Sequence, residues 1–421
     1  MTSIIDQNRC ATKGAHLKGV TAPMFALFQS ARKSMLRVSR VITLPIFALG
    51  LAACDDLSLG SIGNSGPSVK KGEPVAVALL VPRGGGSASD DLLAQSLENA
   101  ARLAIRDLEG VDINLRVYGT AGNAGTAATQ AKQAVSDGAQ IILGPLYAEA
   151  ANAVGVAVAG SNVNVLAFSN NPTIAGGNVF VLGPTFDNTA NRLVSYAKSQ
   201  GKDRIVVVSA QDVAGQLGRN AIQNAISRSG ATLAASVDYP LSQEGVVAAI
   251  PRIKAAVDNG GANAVFMTSN TASALPLITQ LLPEAGVRPA TTQYIGLTRW
   301  DIPAQTLALP GVQGGWFALP DPARANAFRA KYEGAYGKAP HPIAGLSFDG
   351  IAAVGALVSG SRSNPLGAGA LTQGAGFQGA TGIFRLRSDG TNERGLAVAS
   401  IRENKVVILD QAPRGFSGGG S

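Results

Sequence analysis

The sequence predicts an α/β protein made of two lobes, each a parallel β-sheet with helices on both faces. Three observations lead to this prediction. Short apolar runs rich in β-branched residues alternate with longer Ala-rich runs of helical period, which is the pattern of βα repeats. The alternation occurs twice along the chain, in two series of similar pattern. The chain of 421 residues is also longer than one compact core normally accommodates.

The first series begins with a strand, VAVALLV, which is continuously apolar, as strands covered on both faces are. A helix, DDLLAQSLENAARLAIRDLEG, follows Ser87 and Ser89 as candidate caps and ends at the stop signal Gly110. The strands that come next are INLRVYG, QIILG, VNVLAFS and NVFVLG. The helices between them are AGTAATQAKQAVSDG and AEAANAVGVAVAG.

The second series repeats this order with a helix before each strand. Its helices are TANRLVSYAKSQG, GQLGRNAIQNAISRSG, VVAAIPRIKAAVDNG and ALPLITQLLPEAG. Its strands are RIVVVSA, TLAASVDYP, NAVFMTS and TQYIGL. Because strands joined by helical crossovers lie parallel in one sheet, each series predicts one parallel sheet covered by helices.

Residues 1–53 have the layout of a secretory signal peptide. Basic residues at Arg32, Lys33, Arg37 and Arg40 precede VITLPIFALGLAA, an apolar stretch too short to span a bilayer. The basic region is long for a signal peptide, so Met24 and Met35 are alternative starts of translation.

The residues before Cys54 resemble the lipobox of bacterial lipoproteins, since Leu51, Ala52 and Ala53 directly precede it. The resemblance implies that Cys54 is lipidated and attaches the protein to a membrane. The alternative is an ordinary signal peptide that contains a cysteine of the buried type.

The formal charge of +8 does not indicate a nucleic-acid-binding protein. The first 53 residues carry seven Lys or Arg and one Asp, which leaves 28 basic and 26 acidic residues in the predicted mature chain. That chain has no basic run with interleaved aromatic residues either, so we expect no nucleic-acid partner.

The amino-acid inventory argues against an enzyme. The predicted mature chain keeps one cysteine, Cys54, and one histidine, His341. One cysteine, which the lipobox assigns to lipidation, and one histidine supply too few residues for a disulfide, a thiolate nucleophile or a Cys/His zinc site, and they make a His-based triad improbable. The glycine-rich VPRGGGSAS lacks the Gly-Lys-Ser/Thr end of a phosphate loop. We therefore expect no catalytic residues, no metal site and no cofactor.

Three further stretches carry a family resemblance. They are IILGPLYAEAANAVGVAVAGSNVNVLAFSNNP, LSFDGIAAVGALVSG and GFQGATGIFRLRSDGTNERGLAVASIRENKVVILD. In this order they resemble the leucine-binding class of type I periplasmic binding proteins. The resemblance implies three crossings of the chain between the lobes, near residues 183–186, 319–323 and 374–377.

The crossings divide the chain into segments. The segment after the signal peptide is rich in Ser, Gly and Pro. We predict that it is a flexible tether, because a segment of this composition cannot bury enough apolar surface to fold. We predict a signal peptide over 1–53, a tether over 54–73, lobe 1 over 74–184 and 320–374, lobe 2 over 185–319 and 375–411, and a disordered tail over 412–421.

The resemblance also places a ligand cleft between the lobes, at the carboxyl ends of the strands. Relatives hold an α-amino acid there with hydroxyl groups in lobe 1 and with a tyrosine and an acid in lobe 2. Here an alanine replaces one hydroxyl, an asparagine replaces an aromatic residue, and Thr298 or an arginine replaces the acid. Surface or packing residues and turn-forming asparagines are the alternative interpretation. The predicted cleft residues are Arg83, Tyr147, Ala148, Ser169, Asn170, Asn171, Asn270, Arg299 and Trp300.

Two functions stay open. Residues 144–146, 163–169 and 379–382 resemble penicillin-binding-protein activator lipoproteins, which implies a lipid-anchored, non-catalytic protein that stimulates a peptidoglycan synthase by contact. The alternative is a solute-binding component that delivers an amino acid to an ABC permease. Both functions place the protein on the periplasmic side of a bacterial membrane, inner or outer, and allow a small amino-acid-like ligand.

Overall fold

The computed structural model describes residues 66–70, 72–360 and 364–416. The predicted signal peptide, the lipidation site Cys54 and the tether up to residue 65 lie outside the described residues. Residues 66–70 of the predicted tether lie against the domain that follows. The carbonyl of Ser68 accepts a hydrogen bond from Gln140 Nε2 at 2.9 Å, and Val69 packs against the first core.

The first sheet has five parallel strands in the order β2-β1-β3-β4-β5. The strands are β1 Val75–Val81, β2 Ile113–Gly119, β3 Ile141–Leu143, β4 Asn164–Ala167 and β5 Val179–Val181. The helices of this series are α1 Ala88–Arg106, α2 Ala124–Ser136 and α3 Ala148–Ala157. Ser87 caps α1 by accepting a hydrogen bond from the Asp90 amide, as the sequence predicts.

The second series follows in the same alternation. Its helices are α4 Phe186–Ser199, α5 Val213–Ser229, α6 Gln243–Gly260 and α7 Leu275–Glu284. Its strands are β6 Arg204–Ala210, β7 Thr232–Tyr239, β8 Ala264–Met267, β9 Gln293–Gly296 and β10 Trp316–Pro320.

The last part of the chain adds three helices and five strands. The helices are α8 Pro322–Tyr336, α9 Gly345–Val358 and α10 Ala368–Leu371. The strands are β11 Phe377–Gly379, β12 Gly382–Leu386, β13 Asn392–Arg394, β14 Leu396–Arg402 and β15 Lys405–Asp410. Strands β11, β12 and β13 form a small antiparallel sheet of their own.

The second sheet has seven strands in the order β15-β14-β10-β9-β8-β6-β7. It is parallel from β7 to β10, and the antiparallel strands β14 and β15 extend it at one edge. These two strands form a hairpin whose turn residues, Glu403 and Asn404, have φ of 50° and 60°. A tight turn of this kind joins antiparallel neighbours, which explains the pairing of β15 with β14.

Each sheet is buried on both faces, because alternate residues of a strand enter different cores. Val77 and Leu79 of β1 pack in the core that includes α1 and α9, whereas Ala78 and Leu80 pack in the core of α2 and α3. In the second sheet the residues of β6 divide in the same way between a core with α6 and α7 and a core with α4 and α5. Helices therefore cover both faces of both sheets.

The chain passes between the two halves three times. The first two crossings, between β5 and α4 and between β10 and α8, fall in the predicted segments. The third lies near Gly395, between β13 and β14, and not near residues 374–377. The reason is that Phe377, Phe384 and Leu386 pack in the core of the first sheet. The hairpin that we assigned to lobe 2 thus belongs to the first core.

Residues 412–416 of the predicted disordered tail are packed. Ala412 is buried, and the carbonyl of Arg414 accepts a hydrogen bond from Gln378 Nε2 at 3.2 Å. The ring of Phe416 lies 4.5 Å from the guanidinium carbon of Arg385. Residues 417–421 lie outside the described residues.

Candidate functional site

The predicted lobe 1 residues follow strands of the first sheet. Because all five strands are parallel, the loops after β1, β3 and β4 emerge at one edge. Arg83 comes after β1, Tyr147 and Ala148 after β3, and Ser169 after β4. These residues therefore lie at a common edge of the first sheet, and their binding of a ligand stays a prediction.

Arg83 is bound to α1. Its Nη2 donates to Glu98 Oε2 at 2.9 Å and to Gln95 Oε1 at 3.4 Å. Burial raises the pKa of Glu98, but hydrogen bonds from Arg83 and Arg102 outweigh burial and hold it below its usual value. Glu98 is thus a carboxylate at neutral pH, and Arg83 is a paired cation whose side chain is 38% exposed.

Tyr147 is hydrogen-bonded to a residue that sequence reasoning missed. Its hydroxyl donates to Asp90 Oδ1 at 2.7 Å, and its side chain stays exposed. This hydrogen bond, with partial burial, raises the pKa of Tyr147. Ala148 is the first residue of α3 and is partly buried. The position of Asp90 in the first turn of a helix after β1 is the signal that could have identified it.

The residues after β4 form a local turn. Ser169 is buried, and its Oγ accepts a hydrogen bond from the Asn171 amide at 3.1 Å. Asn171 accepts from the Thr173 amide and caps a short 3-10 helix, Pro172–Ile174. Asn170 is exposed. Asn171 therefore has the turn-forming role given as the alternative. The hydroxyl of Ser169 and the side-chain NH2 groups of Asn170 and Asn171 are the side-chain donors of this loop.

The predicted lobe 2 residues follow β8 and β9. Asn270 is exposed, and its Oδ1 accepts from the Ala272 amide at 3.0 Å, which is also a turn role. Arg299 binds Asp301 through two guanidinium nitrogens, with Nε to Oδ1 at 2.6 Å. Asp301 is another residue that sequence reasoning missed, although its i, i+2 spacing from Arg299 was visible. The carboxylate of Asp301 neutralises the positive charge of Arg299, which stands where relatives have an acid.

Trp300 is not a cleft residue, which corrects the prediction. Its side chain is 0% exposed and belongs to the core between the second sheet and α6 and α7. A Cβ atom on Gly296 would lie 2.1 Å from its Nε1, and one on Gly315 would lie 2.2 Å from its Cζ3. The indole therefore fills the space that these two glycines leave.

Apolar side chains are exposed on segments that follow or begin near strand ends of the second sheet. Val213 and Leu217, in the first turns of α5, are 74% and 37% exposed. Leu241 after β7 and Ile302 after β9 are 52% and 54% exposed. Sequence reasoning did not select these residues, because single apolar residues at a helix start give no distinct signal.

Two classes of site find no support in the described part of the chain. No group of three or more His, Cys, Asp or Glu side chains there is arranged to hold a metal ion. Among the same residues, no helix has both the length and the apolar character needed to cross a bilayer.

The sequence matches the profile of one family, described as periplasmic binding protein, over residues 74–405. This match covers the three crossings and both sheets except for β15, of which it reaches the first residue. A search of the curated proteins finds no match.

Solved structures resemble this fold over most of its length. One is a branched-chain amino acid ABC transporter periplasmic ligand-binding protein from Burkholderia xenovorans, at 18% identity and a TM-score of 0.64, with 81% of this chain and 96% of that chain covered. An ABC transporter substrate-binding protein from Desulfitobacterium hafniense in complex with Leu has 18% identity, a TM-score of 0.57 and coverage of 80% and 100%.

A third structure has a different kind of ligand. It is a solute-binding protein of an ABC transporter from Rhodopseudomonas palustris in complex with 3,4-dihydroxybenzoic acid, at 16% identity and a TM-score of 0.52, with 81% of this chain and 98% of that chain covered. At such low identity these structures establish the fold. With the family match, they show that the chain belongs to the periplasmic binding proteins and has the two-lobed type I fold of the leucine-binding class.

Proposed function

We propose that the protein is the solute-binding component of an ABC transporter and that it carries a small carboxylic acid of the amino-acid type. The observation that supports this most directly is the family match over residues 74–405, together with likeness to transporter binding proteins over 80–81% of the chain. The family consists of binding proteins and not of enzymes, and it is periplasmic.

The groups at the first-sheet edge suit a carboxylate. The Ser169 hydroxyl and backbone amides near the start of α3 are donors, and a helix N-terminus favours negative charge. Glu149 in the first turn of α3 competes with such an anion. The carboxylate is therefore expected nearer to Ser169.

The second-sheet segments suit the rest of the molecule. Leu217, Leu241 and Ile302 expose apolar surface that an aliphatic or aromatic side chain would bury. Asp301 lies in the same loop as Ile302, but both of its oxygens bind Arg299. An ammonium group would have to compete with this guanidinium, so the geometry favours apolar acids over strongly cationic amino acids.

The membrane anchor is part of the proposal. Lipidation of Cys54 would keep the binding domain at the membrane that holds the permease, joined through residues 55–65. Mass spectrometry of the protein from membranes should find a diacylglycerol on Cys54. A mature chain that starts with unmodified Cys54, or with any other residue, would contradict the anchor and leave the binding function untouched.

Activation of a peptidoglycan synthase is the second candidate. It draws support from the incomplete amino-acid set, namely Ala148 in place of a hydroxyl residue and Asn270, which forms a turn. The comparisons favour transport, because the similar structures described above belong to ABC transporters.

Thermal unfolding of the mature chain carrying Cys54→Ser tests the two candidates. A ligand at 100 times its Kd adds about 2.7 kcal/mol to stability. We expect such a gain with leucine, isoleucine, valine or an aromatic acid. A matched Ile302→Glu variant should lose the gain, because a charge replaces exposed apolar surface, whereas Val247→Glu, a 50% exposed residue on α6, should keep it. No gain with any of these acids, combined with specific retention of a peptidoglycan synthase, would favour activation.

A further inference from the structure

A cavity lies beside the hairpin of β12 and β13, and it meets the loops described above only at Pro172. Its volume is about 550 Å³, within the usual range for small-molecule sites. Its walls are α4, the end of α5, the turn and strands of the β12–β13 hairpin, and the packed segment near Phe416. None of the predicted cleft residues lines it, so it requires its own explanation.

Arginine is unusually frequent in these walls. Five arginines and three carboxylate residues line the cavity. The arginines are Arg192, Arg228, Arg385, Arg387 and Arg394, and the acids are Asp187, Asp389 and Glu393. The lining residues thus carry an excess of two positive charges.

Two of the arginines are committed to partners behind the wall. Arg192 binds Asp410 at 2.8 Å and the Leu396 carbonyl, and Arg394 binds Asp349 at 3.0 Å. Arg394 is also nearly buried. These two therefore hold the structure together, and the remaining three decide what the cavity can bind.

Arg385 and Arg387 share one carboxylate. Both guanidinium groups donate to the same oxygen, Glu393 Oε2, at 2.7 Å and 3.0 Å. Burial raises the pKa of Glu393, but the two arginines outweigh burial and keep it below its usual value, so it stays ionised. One negative charge then faces two positive charges on this wall, and Glu393 fixes their positions.

Arg228 comes from the opposite wall. Arg228 lies near the end of α5, and its guanidinium group binds two residues of α4, Asn191 at 2.9 Å and, more weakly, Asp187 at 3.5 Å. Arg228 and Arg387 are 54% and 48% exposed. In the part of the chain that the structure describes, each of them uses one guanidinium nitrogen for these bonds. A guanidinium carries five N–H donors, so both have donors left for a ligand.

We propose that this cavity binds one oxyanion group, a phosphate or a carboxylate, of a small molecule through Arg228 and Arg387. Arg385 adds its charge beside them, while Glu393 and the Gly374 carbonyl hold its three guanidinium nitrogens. Guanidinium forks match the paired oxygens of both groups. The capped N-terminus of α4, at Thr185 and Asn188, lines the same cavity and adds positive potential. Asp187, Asp389 and Glu393 disfavour a ligand with many negative charges, so we infer a single group and not a polyanion.

The experiment is a calorimetric titration of the mature chain carrying Cys54→Ser with inorganic phosphate and, separately, with acetate. Sodium chloride at matched ionic strength controls for screening. We expect saturable heat with at least one of the two anions, and the stronger binder identifies the group. In the double variant Arg228→Gln/Arg387→Gln the affinity should fall tenfold or more, since two charge-assisted bonds are lost.

Arg252→Gln is the matched control, because Arg252 has similar exposure, 56%, and a similar long ion pair with Asp238, but lies on α6. It should leave the affinity unchanged. Phosphorus NMR of inorganic phosphate, titrated with protein that has no substitution in the cavity, is an independent measurement. We expect the phosphate resonance to broaden in a saturable way. Absence of saturable binding by either method, or equal losses in Arg252→Gln and the double variant, would overturn the proposal. Leucine titrations report on the cleft separately.

Discussion

At the scale of single residues, exposure separates groups that bind from groups that pack. Arg299 and Trp300 are neighbours in the chain. Arg299 forms a partly exposed ion pair with Asp301, whereas the side chain of Trp300 is fully buried. The difference follows from Gly296 and Gly315, whose missing side chains leave space for the indole. The packing role of Trp300 was not visible in the local sequence, because the space comes from a strand that precedes it and a loop that follows it in the chain.

Trp300→Ala tests the packing role. Removing a large buried aromatic side chain should lower the free energy of unfolding by about 3–5 kcal/mol. Urea unfolding followed by circular dichroism measures the loss. Ile302→Ala is the control, because that side chain is 54% exposed and should change stability by about 0.5 kcal/mol or less. Native stability combined with lost ligand binding in Trp300→Ala would instead support a cleft role.

At the scale of elements, the first two crossings are hydrogen-bonded to the small antiparallel sheet β11–β13, from which the third crossing leaves. Asn392 Nδ2 donates to the carbonyls of Val181 and Gly183 at 2.9 and 2.8 Å. Arg394 Nε donates to the Leu182 carbonyl at 3.2 Å. The Asp321 amide donates to the Thr381 carbonyl at 2.9 Å, which joins the second crossing to the segment before the third. The three crossings, which we call the hinge, are therefore connected through this small sheet and are not three independent linkers.

The buried ion pair beside this hinge gives a stability prediction. Asp349 accepts from Arg394 at 3.0 Å and from the Ala380 amide at 2.6 Å. Arg394→Met leaves the carboxylate buried without its cation and should cost about 3–5 kcal/mol. Adding Asp349→Asn removes that charge and should recover part of the loss in chemical denaturation. A double variant less stable than Arg394→Met would contradict this account.

Glu393 in the β13 strand gives a pH prediction. Its folded pKa lies below its usual 4.5, so its charge stabilises the fold above that value, and the contribution is lost as pH falls through the folded pKa. Its side chain is 34% exposed, so screening limits the effect to about 1 kcal/mol. Glu393→Gln should be less stable than the parent at neutral pH, and melting curves should converge in acid. A gap that widens in acid would refute the assignment.

Strand positions are where the sequence was most informative. β1 and β2 have the predicted bounds. β1 is a continuous apolar run in the interior of its sheet, whereas β2 is an edge strand in which Ile113, Leu115 and Val117 alternate with polar residues. The docking of the β11–β12 hairpin could not be predicted. Its alternation and turn residues specify a hairpin, but they carry no information on which core receives Phe377 and Phe384. The same limit applies to the arginine cavity, whose residues come from α4, α5 and a hairpin far apart in the chain.

At the scale of the whole molecule, the two halves depend on both ends of the described chain. Residues 66–70 lie against the first sheet, and residues 412–416 lie beside β11 and β12. Strands β14 and β15 complete the second sheet at one edge. Stability is therefore expected to respond to changes at the carboxyl end.

Truncation tests this dependence. A chain ending at Gln411 loses buried Ala412 and the contact of Phe416 with Arg385, and we expect a loss of about 1–3 kcal/mol. A chain ending at Phe416 is the control, so the difference between the two isolates residues 412–416. Equal melting temperatures would show that the packed segment adds no stability.

The contacts of Asn392 and Arg394 with residues 181–183 have a consequence for biosynthesis. The partners are more than 200 positions apart in the chain, and a ribosome delivers the amino end first. A nascent polypeptide thus carries the five strands of its first sheet long before the side chains that bind the end of β5 exist. A messenger RNA that ends before codon 392 would yield a chain in which the carbonyls of residues 181–183 lack the side chains of Asn392 and Arg394. We expect quality-control proteases to degrade such a chain.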